Sequence, residues 1–183
     1  MSEIISIGKA SDISENYRNT PIGDLLEYHN MGKPFGNYCK AEILIGMCMD
    51  NRKHLHIPDN FAFIIRAGGA NLRYSEFKVS YAIAIGGVRH IALIGHTNCG
   101  MVNLESRKNE FIDGLVRNAG WDAGKAKQHF ENNASKFEIG NEVDFIKSET
   151  IRLREQYRNV IVAPLLYRIE DNRLYQIKEH HNI

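Results

Sequence analysis

Short, nearly continuous apolar runs recur along the chain, and amphipathic segments separate them. Runs of four to eight residues rich in Ile, Leu, Val and Ala are typical of strands that are buried on both faces of a parallel sheet. Strands that alternate with helices indicate an α/β fold with right-handed crossovers. The pattern predicts strands at 42–49, 61–65, 90–95 and 159–163, the last of which can extend through Leu165 to Tyr167.

Helical segments lie between the predicted strands. The segment 75–85 has apolar residues at helical spacing, begins at a serine that can cap it, and stops at Gly86-Gly87. The segment 141–157 places its apolar residues on roughly one face. The polar stretch 103–140 predicts short helices outside the sheet, with Trp121 as their one large anchor.

The N-terminal 31 residues predict a helical arm. Thr20-Pro21 is a typical helix start, and Gly32-Lys33-Pro34 is a typical end. The apolar face of this helix consists of Leu25, Leu26 and Tyr28. Because the chain has no internal repeat and no convincing linker, we expect one domain over 1–183: an α/β fold with a mostly parallel central sheet of four to five strands, flanked by helices and preceded by the arm.

Composition narrows the class of protein and its partners. The chain has 183 residues, of which 43% are hydrophobic and 25% charged, which is enough for a globular core and argues against disorder. The formal net charge is only +1 and the cations are dispersed, so we expect a small-molecule substrate and no nucleic-acid or membrane partner. No apolar run reaches the ~18 residues of a membrane span, and the first residues lack a signal-peptide pattern; we expect a cytoplasmic location.

Three cysteines, at positions 39, 48 and 99, form an odd set without a secretory context. Metal binding or reactive chemistry is therefore more plausible for them than a disulfide framework. Cys39 has no ligand partner at a recognised spacing, and we expect a core or interface thiol. His54 and His56 are separated by one residue, a spacing that could suit a pair of metal ligands, but we expect both to lie on the solvated surface.

Metal-type side chains follow the first and third predicted strands. Cys48, Asp50 and Arg52 come after the first, and His96 and Cys99 after the third. Ligands of open parallel sheets bind beyond the carboxyl ends of the strands, so these residues would converge if the two strands are neighbours. A lone buried Cys or His usually has a structural explanation. Together they form a Cys2His set with an unfilled fourth position, which suits tetrahedral Zn²⁺ in an open, catalytic site.

These two segments resemble a known family. Cys-Met-Asp-Asn-Arg at 48–52, taken with His-Thr-Asn-Cys-Gly-Met at 96–101, is similar to the paired C-x-D-x-R and H-x-x-C motifs of β-class carbonic anhydrases. The resemblance implies zinc held by Cys48, His96 and Cys99, with Asp50 and Arg52 as a dyad beside the open position. It also implies an obligate homodimer, often doubled into larger assemblies, with the pocket at the subunit boundary and the N-terminal arm packed on the neighbour.

The chain departs from the family pattern in three places. The family usually has R-N-A-G after the second strand, whereas this chain has Ile-Arg-Ala-Gly-Gly at 65–69 and lacks the Asn. The connection 52–66 is also short by a few residues. Gly68-Gly69 is expected to allow close backbone packing by the pocket rather than to bind phosphate. Asn98 stands where Asp is common, and we expect a minor effect because this side chain is not a ligand.

The resemblance implies a carbonate dehydratase, a lyase that reversibly hydrates carbon dioxide to bicarbonate and a proton by means of a zinc-bound hydroxide. Asp50, held by Arg52, would orient that hydroxide. Hydrolysis of carbonyl sulfide or carbon disulfide, which related proteins perform with the same ligands, remains an alternative. A non-catalytic zinc-binding module is a further alternative, although a purely structural site would normally be closed by a fourth protein ligand and has no use for the dyad.

Overall fold

A mixed sheet forms the centre of the structure. The structure, a computed structural model, describes residues 4–179. In this part of the chain six strands pair in the order β1-β6-β5-β4-β2-β3, with β2 to β5 parallel to one another and β6 and β1 antiparallel to their neighbours. The strands are β1 Ile4–Ser6, β2 Ile43–Met47, β3 Ala62–Arg66, β4 His90–His96, β5 Ile161–Arg168 and β6 Arg173–Ile177.

The α/β fold and the four parallel strands are confirmed, but the expected four to five strands fall short of the six observed. The two missed strands lie at one side of the sheet. β6 returns antiparallel to β5 after a tight turn, and Asn172 in that turn has a φ of 56°. β1 then pairs with β6 at the edge. Both strands are short and owe their conformation to pairing with the sheet rather than to a long apolar run.

Successive residues of the central strands point to opposite faces of the sheet, as the strand period of two requires. Ile43, Ile45 and Met47 of β2 belong to a core cluster on one face. Leu44 belongs to a second cluster on the other face. Burial on both faces explains why these strands are apolar at nearly every position.

Five α-helices lie within residues 4–179, and the predicted helix ends are accurate, although the Ser75 side chain does not make the expected capping hydrogen bond. The Thr20 side chain accepts a hydrogen bond from the N–H of Ile22, and Gly32 ends the first helix with a φ of 64°. Asn141 caps the last helix in the same way. The stretch 103–140 forms two regular helices instead of the short ones expected. The helices are α1 Pro21–Met31, α2 Glu76–Ala84, α3 Lys108–Ala119, α4 Ala123–Phe137 and α5 Glu142–Gln156.

Helix α1 is part of the chain's own core. Leu25, Leu26 and Tyr28 are buried in the cluster that covers one face of the sheet, together with side chains of β2, β4 and β5. The apolar face of α1 is therefore covered by the chain's own sheet, and the packing of the arm on a neighbouring subunit stays a prediction. Helices α2 and α5 contribute to the cluster on the opposite face. None of the helices within residues 4–179 has the length and apolarity needed to cross a bilayer.

Candidate metal centre

The two segments with metal-type side chains meet at the carboxyl edge of the sheet. β2 and β4 are adjacent and parallel, with Met47 opposite Ile94. Cys48 follows β2 directly, His96 is the last residue of β4, and Cys99 lies in the turn after it. All three side chains are buried, and one ligand atom from each lies within 4.8 Å of the other two. The structure thus brings together the three residues that the sequence predicts as ligands.

The geometry of these three atoms fits a tetrahedral metal ion. The Sγ atoms of Cys48 and Cys99 are 4.0 Å apart. Two sulfurs bound to tetrahedral zinc at about 2.3 Å would lie about 3.8 Å from each other. The Nδ1 atom of His96 lies 2.9 Å from the carbonyl oxygen of Thr97. Because a carbonyl can only accept, Nδ1 carries the proton and Nε2 presents its lone pair.

The free nitrogen of His96 is the most direct sign of a missing partner. Nε2 is buried and has no hydrogen-bond partner among residues 4–179. A buried polar atom without a partner is costly, and such atoms are rare in native structures. A cation bound between this nitrogen and the two sulfurs would satisfy it, so the donor set fits Zn²⁺.

The Sγ atoms of the two thiols lie within hydrogen-bond distance of each other. The hydrogen bond between the sulfurs lowers the pKa of Cys48 and raises that of Cys99, while burial raises both. The backbone N–H of Gly69 also donates to Cys48 Sγ, at 3.3 Å, and favours the thiolate. A divalent cation would displace the thiol protons and hold both sulfurs as thiolates.

Gly69 can reach Cys48 only because it has no side chain. Its φ is 62°, and a Cβ atom there would lie 3.1 Å from a methyl group of Ile139. The expectation that Gly68-Gly69 permits close backbone packing by the pocket is confirmed.

Asp50 and Arg52 form a close ion pair beside the three ligand atoms. Asp50 Oδ1 accepts hydrogen bonds from the Arg52 backbone N–H at 2.9 Å and from Nε at 3.0 Å, and Oδ2 accepts from Nη2 at 2.6 Å. The side-chain bonds from Arg52 are the main cause that lowers the pKa of Asp50, so the carboxyl group stays ionised. Asp50 Oδ2 lies 3.9 Å from His96 Nε2, which places the carboxylate next to the fourth side of the centre.

Two glutamates that the sequence did not single out hold the turn after β4. Glu170, from the turn between β5 and β6, accepts hydrogen bonds from Thr97 Oγ1 at 2.8 Å and Asn98 Nδ2 at 3.0 Å. Glu142, at the start of α5, accepts from the N–H of Cys99 at 3.2 Å. No local sequence signal marks either residue, because each is brought to the turn by the tertiary fold.

Asn98 has a larger structural role than expected. Its carbonyl oxygen accepts a hydrogen bond from Arg52 Nη2 at 2.9 Å, and its side-chain amide donates to Glu170. Its φ of 56° is in the left-handed region that Asn tolerates well. An ionised Asp at this position would have no N–H to donate and would face the Glu170 carboxylate. Asn98 is not among the three ligand residues, as expected, and the size of the effect of Asn against Asp here stays a prediction.

A cleft of about 840 Å³ opens beside the centre, between α3 and α4. Its lining includes Gly68, Gly100 and Met101; Gly100 follows Cys99 in sequence, and the Met101 side chain packs in the same cluster as Cys48 and Cys99. Most of the cleft wall is apolar, although Arg107, Glu110 and His129 also contribute to it. The apolar wall includes Met49, Leu104, Phe111, Leu115, Phe130 and Phe137.

Other candidate residues lie outside the centre. His54 and His56 are exposed, which confirms the prediction that they lie on the solvated surface. Cys39 is also exposed, so a core position is wrong, and the alternative of an interface thiol stays a prediction. Among residues 4–179, the set of Cys48, His96 and Cys99 is the one group of three or more His, Cys, Asp or Glu side chains with metal-site geometry.

Fold and site together define an α/β protein with a Cys2His metal-type centre and a carboxylate–guanidinium pair at the carboxyl edge of a parallel sheet. The sequence profile of a family described as carbonic anhydrase matches residues 44–179. The chain therefore belongs to the carbonic anhydrase family, in its β class.

Solved structures agree on the fold. A β-carbonic anhydrase from Trichomonas vaginalis is 22% identical and superposes with a TM-score of 0.61 over 80% of this chain and 88% of its own. A carbonic anhydrase from Glaciozyma antarctica is 19% identical, with a TM-score of 0.60 over 91% of this chain and 100% of its own. A carbon disulfide hydrolase is 18% identical, with a TM-score of 0.55 over 79% of this chain and 87% of its own. No curated protein sequence gives a significant match.

Proposed function

We propose that the chain binds zinc through Cys48, His96 and Cys99 and reversibly hydrates carbon dioxide to bicarbonate and a proton. The observation that carries this proposal is the Asp50–Arg52 pair beside an incomplete set of three buried ligand atoms. A structural site would use a fourth protein ligand, whereas a catalytic site leaves that position to water or substrate. Membership of the carbonic anhydrase family supports the same reaction.

Zinc, when bound, supplies a nucleophile by lowering the pKa of water, as in carbonic anhydrases generally. The residues of this chain would then control the orientation of the nucleophile. Asp50 is ionised and lies beside His96 Nε2, so its carboxylate would accept a hydrogen bond from the nucleophile and would orient it toward the substrate carbon. Arg52 keeps the carboxylate in that position, and the Asn98 carbonyl in turn fixes the guanidinium.

The proposal is tested by zinc analysis and stopped-flow rates on protein purified without added metal. We expect about one zinc per chain from the three-ligand set and carbon dioxide hydration well above the uncatalysed rate. Protein that carries a full equivalent of zinc but hydrates carbon dioxide no faster than buffer would refute it.

Hydrolysis of carbonyl sulfide or carbon disulfide is a second candidate function. The apolar cleft favours it, because its wall includes the polarisable thioethers of Met49 and Met101. One structural neighbour is described as a carbon disulfide hydrolase. The same rate measurements with carbonyl sulfide and carbon disulfide, followed by release of hydrogen sulfide, rank the three substrates.

Filling the cleft tests whether substrate passes through it. Gly114 lines the cleft, and a Cβ atom added there meets nothing within 4 Å. Gly114→Trp should therefore project into the cleft without disturbing the fold and lower kcat/KM for the preferred substrate by roughly tenfold or more. Gly114→Ala is the control: it removes the same glycine, favours the helix and leaves the cleft open. Equal kcat/KM values for both variants and the wild type would rule out this route.

We also propose a homodimer, built on the edge strand β3 and on α2. β3 pairs only with β2 among the described residues, so its other edge is free to pair with a second copy around a two-fold axis. Phe63 of β3 packs close to Gly86, next to the end of α2. An exposed apolar stripe continues from there along α2 at intervals of four residues: Phe77, Tyr81 and Ile85, which are 82%, 53% and 71% exposed.

Two charges on this stripe should separate the subunits. Phe77→Asp with Ile85→Asp places carboxylates at the centre of the proposed interface, and both positions are exposed, so the fold should be kept. We expect a monomer by analytical ultracentrifugation. Ile151→Asp, at an exposed apolar position on α5, is the matched control and should remain dimeric. A double variant that sediments like the wild-type dimer would place the interface elsewhere.

We propose a cytoplasmic location because two of the three metal ligands are cysteine thiolates. Reducing conditions keep Cys48 and Cys99 available as thiolates, and the structure has no disulfide among residues 4–179. Fractionation of cells that express the tagged chain would test the location.

A further inference from the structure

A lysine is fully buried beside the metal centre. The side chain of Lys53 is 0% exposed. Its Nζ donates a hydrogen bond to the backbone carbonyl of Asp50 at 3.1 Å and lies 3.9 Å from Asp50 Oδ1. An ammonium group is almost never fully buried without a partner, because its desolvation is costly. The burial of the Lys53 ammonium must therefore be compensated by its contacts.

Charged groups around Lys53 provide this compensation. Asp50 lies between two cations: Arg52 on the solvent side and Lys53 on the buried side. Burial lowers the pKa of Lys53, while the Asp50 carboxylate acts in the opposite direction. The buried ammonium and the Asp50 carboxylate thus stabilise one another.

The backbone of the same turn is held as well. The Arg66 guanidinium lies 3.5 Å from the Asp50 carbonyl oxygen and 3.4 Å from that of Lys53. The turn 50–53 is therefore contacted by two cations, the buried Lys53 ammonium and, at longer distance, the guanidinium of the exposed Arg66. The Asp50 carboxylate of this turn lies next to the ligand cluster, with Oδ2 3.9 Å from His96 Nε2.

We propose that Lys53 is a positioning residue for Asp50, whose buried ammonium keeps the carboxylate beside the fourth ligand position and off the metal. The inference rests on the proposed function, because it assumes that this position receives water or substrate. Arg52 alone holds the carboxylate from the exposed side. Without Lys53, the Asp50 turn loses a hydrogen bond and a charge on its buried side, and the carboxylate gains freedom to bind the metal itself.

The test compares Lys53→Met, which keeps the length of the side chain and removes its charge, with Lys40→Met, which removes an exposed lysine. Azide is titrated into the cobalt-substituted proteins and followed by visible absorption, and kcat and KM are measured on the zinc forms. We expect Lys53→Met to retain its metal, to bind azide more weakly, and to lose about 10- to 100-fold in kcat with little change in KM. Lys40→Met should match the wild type in each measurement.

A double-mutant cycle separates positioning from packing. If Lys53 acts through Asp50, Lys53→Met should cost much less kcat in an Asp50→Asn background than in the wild type. Equal losses in both backgrounds, or a metal-loaded Lys53→Met protein with wild-type azide binding and kcat, would overturn the proposal.

A measurement on the lysine itself applies even if Lys53→Met does not fold. In lysine-selective ¹⁵N spectra, the Lys53 Nζ signal should be that of an exchange-protected ammonium, and it should shift in Asp50→Asn. A neutral amine, or a signal unchanged by Asp50→Asn, would contradict the proposal. Neither the azide titration nor the spectrum depends on hydration activity, so failure of the proposed function is distinguishable from failure of this inference.

Discussion

Cys99→Ala is expected to abolish zinc retention and, with it, activity. The three ligand atoms lie within 4.8 Å of one another, and the variant removes one of the two sulfurs. Loss of a residue that only supports a ligand typically weakens metal binding by roughly 10- to 100-fold, so loss of a ligand should exceed the upper end of that range. Zinc per chain after dialysis and the initial hydration rate are the two measurements.

Cys39→Ala is the matched control for this experiment. Cys39 is an exposed thiol away from the centre, so its removal should leave zinc content and rate unchanged. If Cys99→Ala kept a full equivalent of zinc and the wild-type rate, the assignment of Cys48, His96 and Cys99 as ligands would be wrong.

Asp50→Asn should keep zinc but lose most of the rate. The amide has nearly the same shape as the carboxylate, yet it lacks the charge that pairs with Arg52 and accepts a hydrogen bond from the nucleophile less well. We expect kcat to fall by about 10- to 100-fold, as for other groups that orient a metal-bound reactant. Arg52→Ala should have an effect of similar size, because an Asp50 without its guanidinium partner is free to close the fourth position.

The control is Asp113→Asn, the same substitution at an exposed position of α3. It should have no effect on zinc or rate. Wild-type rates in zinc-loaded Asp50→Asn and Arg52→Ala would mean that the pair has no part in the reaction, even with the metal site intact.

The parallel part of the fold could be predicted from the sequence because its strands are buried on both faces. Such strands are apolar at nearly every position, so the runs ending at Met47 and at His96 stand out. β6 did not, because its sequence from Arg173 to Ile177 mixes polar and apolar residues and its conformation comes from pairing with β5. Helix α1 was located correctly, but a sequence does not say which surface an apolar helix face covers.

The residues of the metal centre also fall into some that the sequence could predict and others that it could not. Cys48, His96 and Cys99 could be identified because their residue types are uncommon and follow strands that proved to be adjacent. Lys53, Glu142 and Glu170 carry no such signal. Lysine and glutamate are common surface residues, and only the tertiary structure shows that Lys53 is buried under Asp50 or that Glu170 reaches Asn98.

The distance along the chain between the two ligand-bearing turns has a consequence for folding. Cys48 and Cys99 are 51 residues apart in sequence, so a metal ion bound to both would act as a cross-link that closes a long loop. The unfolded chain has no such preformed site, and metal binding would therefore favour the folded state alone. Above the dissociation constant, each tenfold rise in free zinc would then add about 1.4 kcal/mol to the free energy of unfolding. The concentration of free zinc would thus affect the stability of the folded chain as well as its activity.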